Sequence, residues 1–218
     1  MSEVKKYFEN PFFGKWKGLP DKQLISFFKA EKHFLKLNIK KNSIILDVGC
    51  GAGDSIEPIA GKVKKAYGID FAENLLKAAS KTFAKNSNVF IINANAETLP
   101  FPNSAFDYVT CMGNTFGNLE NPDKCLEEMK RVMKSNGKII LSVYSKNALK
   151  MQLRTYKAHG VNIEFYNKDV VRIKEGLTSH RYSKKQLNKF AKKHDFNVVI
   201  IKPTQVSYIL ILARKQQN

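Results

Sequence analysis

The chain has 218 residues, of which 43% are hydrophobic and 11% aromatic, and its formal net charge at pH 7 is +18. These values fit one soluble globular domain, residues 1–218, with a full hydrophobic core. No stretch reaches the roughly 18 consecutive apolar residues of a membrane span, so we expect no membrane segment and a cytoplasmic protein. The three cysteines, Cys50, Cys111 and Cys125, are odd in number and lack metal-ligand spacing, so we expect reduced thiols and no metal site.

Residues 1–40 are predicted to form an N-terminal cap, made of an aromatic-rich arm and a helix. Apolar residues from Asp21 to Leu37 recur with a helical period, and Asp21 occupies the N-cap position. Aromatic faces attract cations, so the arm could cap a bound ligand. Simple packing onto the first helix is the alternative. The aromatic residues of the arm are Tyr7, Phe8, Phe12, Phe13 and Trp16.

The segment 44–54 is the most informative part of the sequence. An apolar strand, Ile44–Val48, runs into a G-x-G-x-G turn made by Gly49, Gly51 and Gly53, after which we expect a helix. Glycines allow a tight turn and a close approach to a ligand, because a Cβ there would occupy the volume of the ligand. The dinucleotide fingerprint would require a glycine where Asp54 stands, which argues against NAD and FAD. The turn therefore predicts a nucleoside ligand.

The next strands add two more signals. Strand Lys65–Ile69 ends in Asp70, which lies 21 positions after Gly49. This is close to the separation of about 20 expected for a carboxylate that accepts from ribose hydroxyls. The apolar run Val89–Ile92 leads into Asn93–Phe101, where a polar side chain and a backbone N–H could read an adenine edge.

Strands and helices then alternate, which predicts a parallel, doubly wound sheet whose ligand crevice opens at the carboxyl ends of the strands. Ser135–Gly137 is predicted to be a turn before the fifth strand. The remaining predicted elements of this region are the fourth strand Phe106–Cys111, the fifth strand Lys138–Tyr144, and the helices Glu73–Phe83 and Asp123–Met133.

Residues 146–182 are less regular and are interpreted as an insertion that covers a substrate. We expect a helix over Ala148–Lys157 and short strands at Ile163–Tyr166 and Val170–Ile173. Residues 183–218 are predicted to form a basic helix and a hairpin. These elements are the helix Ser183–His194, with Ser183 as N-cap, and the strands Val198–Ile201 and Ser207–Ala213.

The positive charge is unevenly distributed. Residues 41–145 hold 12 basic and 11 acidic side chains, whereas residues 146–218 hold 16 basic and 4 acidic ones. Only five of the 37 basic residues are arginine, and specific phosphate recognition favours arginine. A lysine-rich solvated surface is the preferred interpretation, and a docking face for nucleic acid or protein is the alternative.

The glycine turn, Asp70, the segment after the third strand and the fourth strand occur in the order found in class I S-adenosylmethionine-dependent methyltransferases, and the chain resembles that superfamily. The resemblance is most detailed over residues 41–145, the expected cofactor-binding core. It implies a Rossmann-like α/β fold, with a doubly wound sheet of about seven strands, mostly parallel with an antiparallel C-terminal hairpin. It also implies S-adenosylmethionine as cofactor and S-adenosylhomocysteine as product. The residues that the resemblance assigns to the cofactor are Asp47, Gly49, Gly51, Gly53, Asp70, Phe71, Asn95, Ala96, Glu97 and Met112.

One position departs from the family pattern. Relatives usually carry aspartate where this chain has Asn95, the group expected to accept from the adenine amine. Asparagine keeps an acceptor oxygen but loses the charge. We therefore expect adenine recognition with a weaker contribution from this side chain.

The segment Met112–Leu119 follows the fourth strand, where the superfamily faces the donor sulfur and the acceptor atom. It is similar to the corresponding loop of small-molecule amine methyltransferases such as the glycine N-methyltransferase group, and it lacks the [D/N]-P-P-[Y/F] motif of nucleic-acid amino methyltransferases. Asn114 could orient an acceptor or be a turn residue, and Tyr144 could line the same mouth or belong to the core. His180 is the candidate proton acceptor, with a solvated loop histidine as the alternative. Cys111 is considered as a nucleophile but favoured as a pocket-lining thiol.

These observations predict methyl transfer to a small-molecule acceptor, for which an amine is the candidate. One alternative is an RNA or protein methyltransferase that docks through the basic C-terminal third. Another is a non-enzymatic nucleoside-binding adaptor. Nucleic acid is thus a disfavoured partner, and the sequence leaves the oligomeric state open.

Overall fold

The computed structural model describes residues 7–8 and 21–215. Seven strands form one sheet in the order β3-β2-β1-β4-β5-β10-β9, and three form a second sheet in the order β6-β7-β8. The strands are β1 Ile44–Val48, β2 Lys65–Asp70, β3 Val89–Asn93, β4 Phe106–Cys111, β5 Met133–Tyr144, β6 Ile163–Tyr166, β7 Val170–Ile173, β8 Thr178–His180, β9 Phe196–Pro203 and β10 Ser207–Arg214.

The large sheet is parallel except at one edge. Strand β1 pairs in parallel with β2 and β4, β2 with β3, and β4 with β5. Strand β10 runs antiparallel to both β5 and β9. The predicted fold class is therefore confirmed. Because parallel strands end at the same edge, the carboxyl ends of β1, β2, β4 and β5 lie together.

Residues 7 and 8 are helical, and between residues 21 and 215 five α-helices accompany the strands: α1 Lys22–Asn38, α2 Glu73–Thr82, α3 Pro122–Val132, α4 Leu149–Ala158 and α5 Lys184–Lys193. The predicted N-caps are confirmed, since the Asp21 carboxylate accepts from the N–H groups of Gln23 and Leu24, and Ser183 forms a capping box with Gln186. Among the described residues, no helix combines the length and apolar character that a membrane crossing requires.

The central strands of the large sheet are buried on both faces, as expected of parallel strands covered by helices. Leu46, Val109 and Ile139 belong to one buried apolar cluster, and their chain neighbours Ile45 and Ile140 belong to another. Because successive side chains of a strand point to opposite faces, these strands contribute to both clusters. The apolar runs of the sequence reflect this two-sided burial.

The helix expected after the glycine turn is the first correction. Residues 51–62 form successive turns instead of an assigned helix, although the Glu57 N–H donates to the Gly53 carbonyl and the Ala60 N–H to the Ile56 carbonyl. Pro58 stands between these two bonds. Because proline has no N–H and its ring clashes with the preceding turn, a continuous helix is interrupted here.

Two further corrections concern strands. Strand β5 begins at Met133, directly after α3, rather than at Lys138. The expected Ser135–Gly137 turn is an irregularity within β5, because Phe106 pairs with Met133 while Tyr108 already pairs with Lys138. The short strand β8 was not predicted, and it completes the second sheet by pairing with β7.

Candidate cofactor and acceptor site

A cavity of about 230 Å³ opens at the carboxyl ends of the central strands. One wall comes from the core, where Gly49 and Gly51 follow β1 and Asp70 ends β2. Thr115, after β4, and Tyr144, at the end of β5, extend the same wall. This is the crevice that the strand order predicts.

The opposite wall comes from elements outside the core. Helix α4 contributes Gln152, Thr155 and Tyr156, and strand β8 contributes Ser179. The insertion therefore contributes to the cavity wall, and its role in covering a substrate stays a prediction. Of the aromatic arm that was expected to cap a ligand, Tyr7 and Phe8 line the cavity. Its other aromatic residues, Phe12, Phe13 and Trp16, lie outside the described residues.

The three glycines of the turn are needed for different reasons. All have positive φ, at 70° for Gly49, 52° for Gly51 and 90° for Gly53. A Cβ at Gly49 would lie 2.3 Å from Cγ2 of Thr115, and one at Gly53 would lie 2.3 Å from Cε2 of Phe83. A Cβ at Gly51 would meet only Leu75, at 3.8 Å. The expectation that each Cβ would occupy ligand volume is therefore corrected: Gly49 and Gly53 are fixed by packing inside the protein, and Gly51 faces open space.

Asp70 is anchored to the turn through both carboxylate oxygens. Oδ2 accepts from the Gly51 N–H and Oδ1 from the Ala72 N–H, each at 2.9 Å. Burial raises the pKa of Asp70, while these N–H bonds act to lower it. A carboxylate offers about four acceptor positions, so positions remain for ribose hydroxyls. These free acceptor positions and the open space beside Gly51 fit a nucleoside whose sugar hydroxyls donate to Asp70.

Asp47 lies below the turn and does not line the cavity. Its Oδ1 accepts from the Thr110 hydroxyl at 2.6 Å, and its Oδ2 has no hydrogen-bond partner among the described residues. Burial raises its pKa to about 7, with a further contribution from the negative charge of Asp70. Asp47 is therefore a buried support of the strand rather than a wall residue.

The expected adenine-binding residues lie beside Asp70 but not on the cavity wall. The Ala94 N–H donates to the Asp70 carbonyl at 3.0 Å, which brings the segment close. Asn95 is exposed, and its side-chain oxygen accepts from the Glu97 N–H at 2.8 Å. This local turn uses the acceptor oxygen that was expected to contact adenine. Asn95, Ala96 and Glu97 are absent from the wall, whereas Phe71 is part of it.

A second, smaller cavity of about 130 Å³ shares Gly49, Gly51 and Thr115 with the first, and Met112 lines it. Its wall includes Glu31, a buried residue of α1 that the sequence analysis missed. The Glu31 carboxylate accepts from the Gly113 N–H at 2.9 Å and from the Ser142 hydroxyl. Burial raises its pKa to about 7, and the charges of Asp47 and Asp54 add to this effect. A carboxyl group four residues after Phe27 and four before Leu35, on a buried helix face, was the available signal.

The three catalytic candidates occupy different positions. Asn114 is buried and off the wall: its oxygen accepts from the Tyr144 N–H at 2.7 Å, and its NH₂ donates to Ser179 and Asn118 at 3.2 and 3.3 Å. Because its amide is used within the protein, Asn114 joins the loop after β4 to β5 and β8. Tyr144 lines the cavity, and its hydroxyl has no hydrogen-bond partner among the described residues. Burial raises its pKa and keeps the phenol protonated.

His180 is exposed at the end of β8 and is not on the wall of the cavity. Partial burial and the charges of Lys146 and Arg181 lower its pKa. Cys111 is fully buried away from the cavity, and burial raises its pKa well above the ordinary value, which disfavours a thiolate nucleophile. No group of three or more His, Cys, Asp or Glu side chains in the described part of the chain is arranged to hold a metal ion.

Comparison with known sequences supports the resemblance in the core. Residues 46–141 match the family model described as a methyltransferase domain. Demethylmenaquinone methyltransferase of Bacillus licheniformis is 35% identical over 113 residues, which are 50% of this chain and 48% of that protein. The enzyme of the same name from Staphylococcus epidermidis is 31% identical over 132 residues, or 59% of this chain and 54% of that protein. The chain therefore spans about half the length of the curated relatives it matches.

Solved structures resemble the whole fold. A protein of Pyrococcus horikoshii has a TM-score of 0.71 and 21% identity, covering 96% of this chain and 99% of its own. A Thermotoga maritima methyltransferase, described as a possible histamine N-methyltransferase, has a TM-score of 0.69 and 19% identity, covering 98% of this chain and 100% of its own. At these identities the likeness shows the fold alone. Together with the sequence match over residues 46–141 and the Asp70-anchored glycine turn, this fold supports the resemblance to class I S-adenosylmethionine-dependent methyltransferases.

Proposed function

We propose that this protein transfers a methyl group from S-adenosylmethionine to a small-molecule acceptor. The observation that carries the proposal is the Asp70 carboxylate, held by the N–H groups of Gly51 and Ala72 on the wall of a cavity. A second wall, built from α4 and β8, faces it. One cavity thus offers a donor side and an acceptor side.

The donor side would hold the nucleoside through groups already in place. Asp70 would accept from the ribose hydroxyls, and Gly51 lets the backbone approach because nothing but Leu75 lies near its absent Cβ. Phe71 offers an apolar face beside the sugar. We propose that Asn95, Ala96 and Glu97 contact adenine from outside the described cavity, by virtue of the bond that ties Ala94 to Asp70.

Bound S-adenosylmethionine supplies an activated methyl group on a sulfonium centre. The protein then has to align the acceptor and exclude water, because the charge that drives the displacement is already on the donor. Tyr144, which lines the cavity and whose phenol stays protonated, would donate a hydrogen bond that orients the acceptor. Asn114 would act through Tyr144 and Ser179 by fixing both.

The class of acceptor is a finer proposal. The name of the Thermotoga protein refers to an amine substrate, and the name of the Bacillus relative refers to a quinone. Both names support a small organic acceptor, but the two acceptors differ in chemical class. The volume of the cavity, about 230 Å³, also favours a small molecule over a folded RNA or protein. The loop after β4 predicts an amine acceptor, and the transfer assay described next also covers amines.

Calorimetry and a transfer assay test the proposal together. We expect S-adenosylhomocysteine to bind the wild-type protein, and tritiated methyl groups to enter a metabolite fraction rather than RNA or protein. In Asp70→Asn, an amide NH₂ would face one of the two N–H groups that the carboxylate now satisfies, so we expect donor affinity to fall at least about 10-fold.

The matched control is Asp195→Asn. Asp195 is exposed at the end of α5 with φ at 58°, a conformation that asparagine tolerates, and the change removes the same charge away from the cavity. Donor affinity should be unchanged in this variant. Equal donor binding by wild type and Asp70→Asn would refute the proposed cofactor site, whereas donor binding without transfer to any fraction would favour the nucleoside-binding adaptor. Methyl incorporation into RNA with a steep salt dependence would favour the nucleic-acid alternative.

A further inference from the structure

On the acceptor side of the cavity, hydrogen-bonded side chains of the wall contact a buried cation, Arg181. Arg181 is 1% exposed. Its guanidinium donates to the Gln152 side chain and to the carbonyls of Asn167, Lys168 and Val170, the last at 2.9 Å. Within the described residues it makes no ion pair, since all these acceptors are neutral. A buried charge without a counter-charge is costly, and this cost is reduced if an anion binds nearby.

Gln152, a residue of the cavity wall, connects this cation to Tyr156 through hydrogen bonds. Its oxygen accepts from Arg181, and its Nε2 donates to the Tyr156 hydroxyl at 3.1 Å. The Tyr156 hydroxyl also interacts with the hydroxyls of Ser179 and Tyr7. Hydrogen bonds in series polarise one another, so the cation strengthens the donors of this wall.

Thr155 supplies an independent observation. The residue lines the cavity and is 3% exposed, and its buried hydroxyl has no hydrogen-bond partner among the described residues. Buried hydroxyls are normally satisfied, and leaving one unsatisfied costs free energy. A ligand atom at this position would provide the missing partner.

The surrounding charges favour an anion over a cation. The carboxylates on the wall of the cavity are Asp54 and Asp70, both on the donor side. Asp169, whose charge acts on Arg181, is itself ion-paired with Lys146. Lys146 also donates to the Arg181 carbonyl at 2.6 Å, so this ion pair lies beside Arg181 and leaves the region with one net positive charge.

We propose that the acceptor carries an oxygen with negative charge, a carboxylate or an ionised phenol, which binds against Thr155 and the Gln152–Tyr156 pair. Arg181 is a positioning residue that acts on this oxygen through Gln152. The inference rests on the proposed function, because it assigns the acceptor class of the same cavity.

The test uses the full chain saturated with S-adenosylhomocysteine and four ring probes of similar size. Benzoate and 4-nitrophenolate carry the two forms of anionic oxygen, benzyl alcohol is neutral and benzylamine is cationic. We expect one or both anions to bind at least about 10-fold more tightly than the other two probes, because hydrogen bonds to charged groups are the strong ones. Comparison of benzoate with 4-nitrophenolate distinguishes the carboxylate from the phenolate.

Two variants test whether Thr155 and Gln152 bind the anionic oxygen. Thr155→Val removes the unpartnered hydroxyl at nearly constant shape, so we expect unchanged or higher thermal stability and about 10-fold weaker anion binding. Gln152→Glu retains a partner for Arg181 but adds a negative charge, so it should fold and lose anion binding. The control is Thr178→Val, the same substitution on β8 at a position that does not line the cavity.

Three results would overturn the inference while leaving the proposed function intact: benzylamine binding as tightly as the anions, neither anion binding to the loaded protein, or Thr155→Val retaining full anion affinity. Failure of S-adenosylhomocysteine to bind in the first place would instead overturn the proposed function.

Discussion

Gly51 is the one glycine of the turn whose missing side chain leaves space for a ligand rather than for another side chain. We expect Gly51→Ala to fold, with a loss of about 1–2 kcal/mol for placing alanine at positive φ. Its Cβ would project beside Leu75 at the cavity, so donor affinity should fall by more than this loss of stability explains. Calorimetry on the folded variant measures the effect.

Gly49→Ala provides the contrast. Its Cβ would lie 2.3 Å from the Thr115 side chain, so steric overlap adds to the cost of its positive φ. Thermal unfolding should therefore show a larger loss of stability for Gly49→Ala than for Gly51→Ala. Equal losses for both variants, or an unchanged donor affinity in Gly51→Ala, would contradict the division of roles within the turn.

The sequence predicted the cavity-lining residues whose positions follow from local chain geometry. Gly51 and Asp70 belong to a turn and a strand end whose spacing is fixed by neighbouring parallel strands, so their positions follow from the order of elements. Thr155 and Arg181 could not be found in this way, because their roles depend on how α4 and β8 pack across the cavity. Asn114 was noticed for its place in the loop after β4, but the structure shows that its amide is bonded inside the protein.

At the scale of elements, the cap of α5 has a measurable consequence. Ser183 accepts from the Gln186 N–H at 3.3 Å, and the Gln186 side chain accepts from the Ser183 N–H at 2.8 Å. We expect Ser183→Ala to lower the free energy of unfolding by about 1 kcal/mol, because one N–H of the first turn loses its partner. Ser80→Ala, in the exposed face of α2, should change stability by less than about 0.5 kcal/mol. Equal values for the two variants in chemical denaturation would show that the cap is not formed in solution.

Most elements were predictable because they satisfy local rules. The strands β4, β6 and β7 have the predicted bounds, and α1 and α5 begin at their predicted caps. The failures arise where a local rule competes with another constraint. Pro58 breaks the turns after β1, whose pattern otherwise favours a helix, and β8 has only three residues, too few to give a periodic signal.

At the scale of the whole molecule, buried carboxyl groups and surface ion pairs make stability depend on pH in opposite directions. The pKa values of Asp21, Asp107 and Glu128 are lowered, mainly by hydrogen bonds to N–H groups and to basic side chains that outweigh burial. These groups stabilise the fold above their unfolded pKa values, and this contribution is lost as the pH falls through their folded values. Their stabilising contribution is therefore lost below about pH 4.

Glu31 and Asp47 act in the other direction, because burial raises the pKa of each to about 7. Between their ordinary values, near pH 4, and pH 7, the folded state binds more protons than the unfolded state, so stability falls as the pH rises. Each group should destabilise the protein above pH 7 by at most about 4 kcal/mol. We therefore expect maximum stability near pH 5.

Glu31→Gln isolates this effect, because its amide oxygen can still accept from the Gly113 N–H and the Ser142 hydroxyl. The variant should match the wild type in stability at pH 5 and exceed it at pH 8, with the difference growing through pH 6 and 7. Measuring the difference at constant ionic strength removes the effect of the large positive net charge, which both proteins share. A pH-independent difference between Glu31→Gln and the wild type would mean that Glu31 ionises without penalty, and that the cavity beside Gly113 is hydrated enough to solvate its charge.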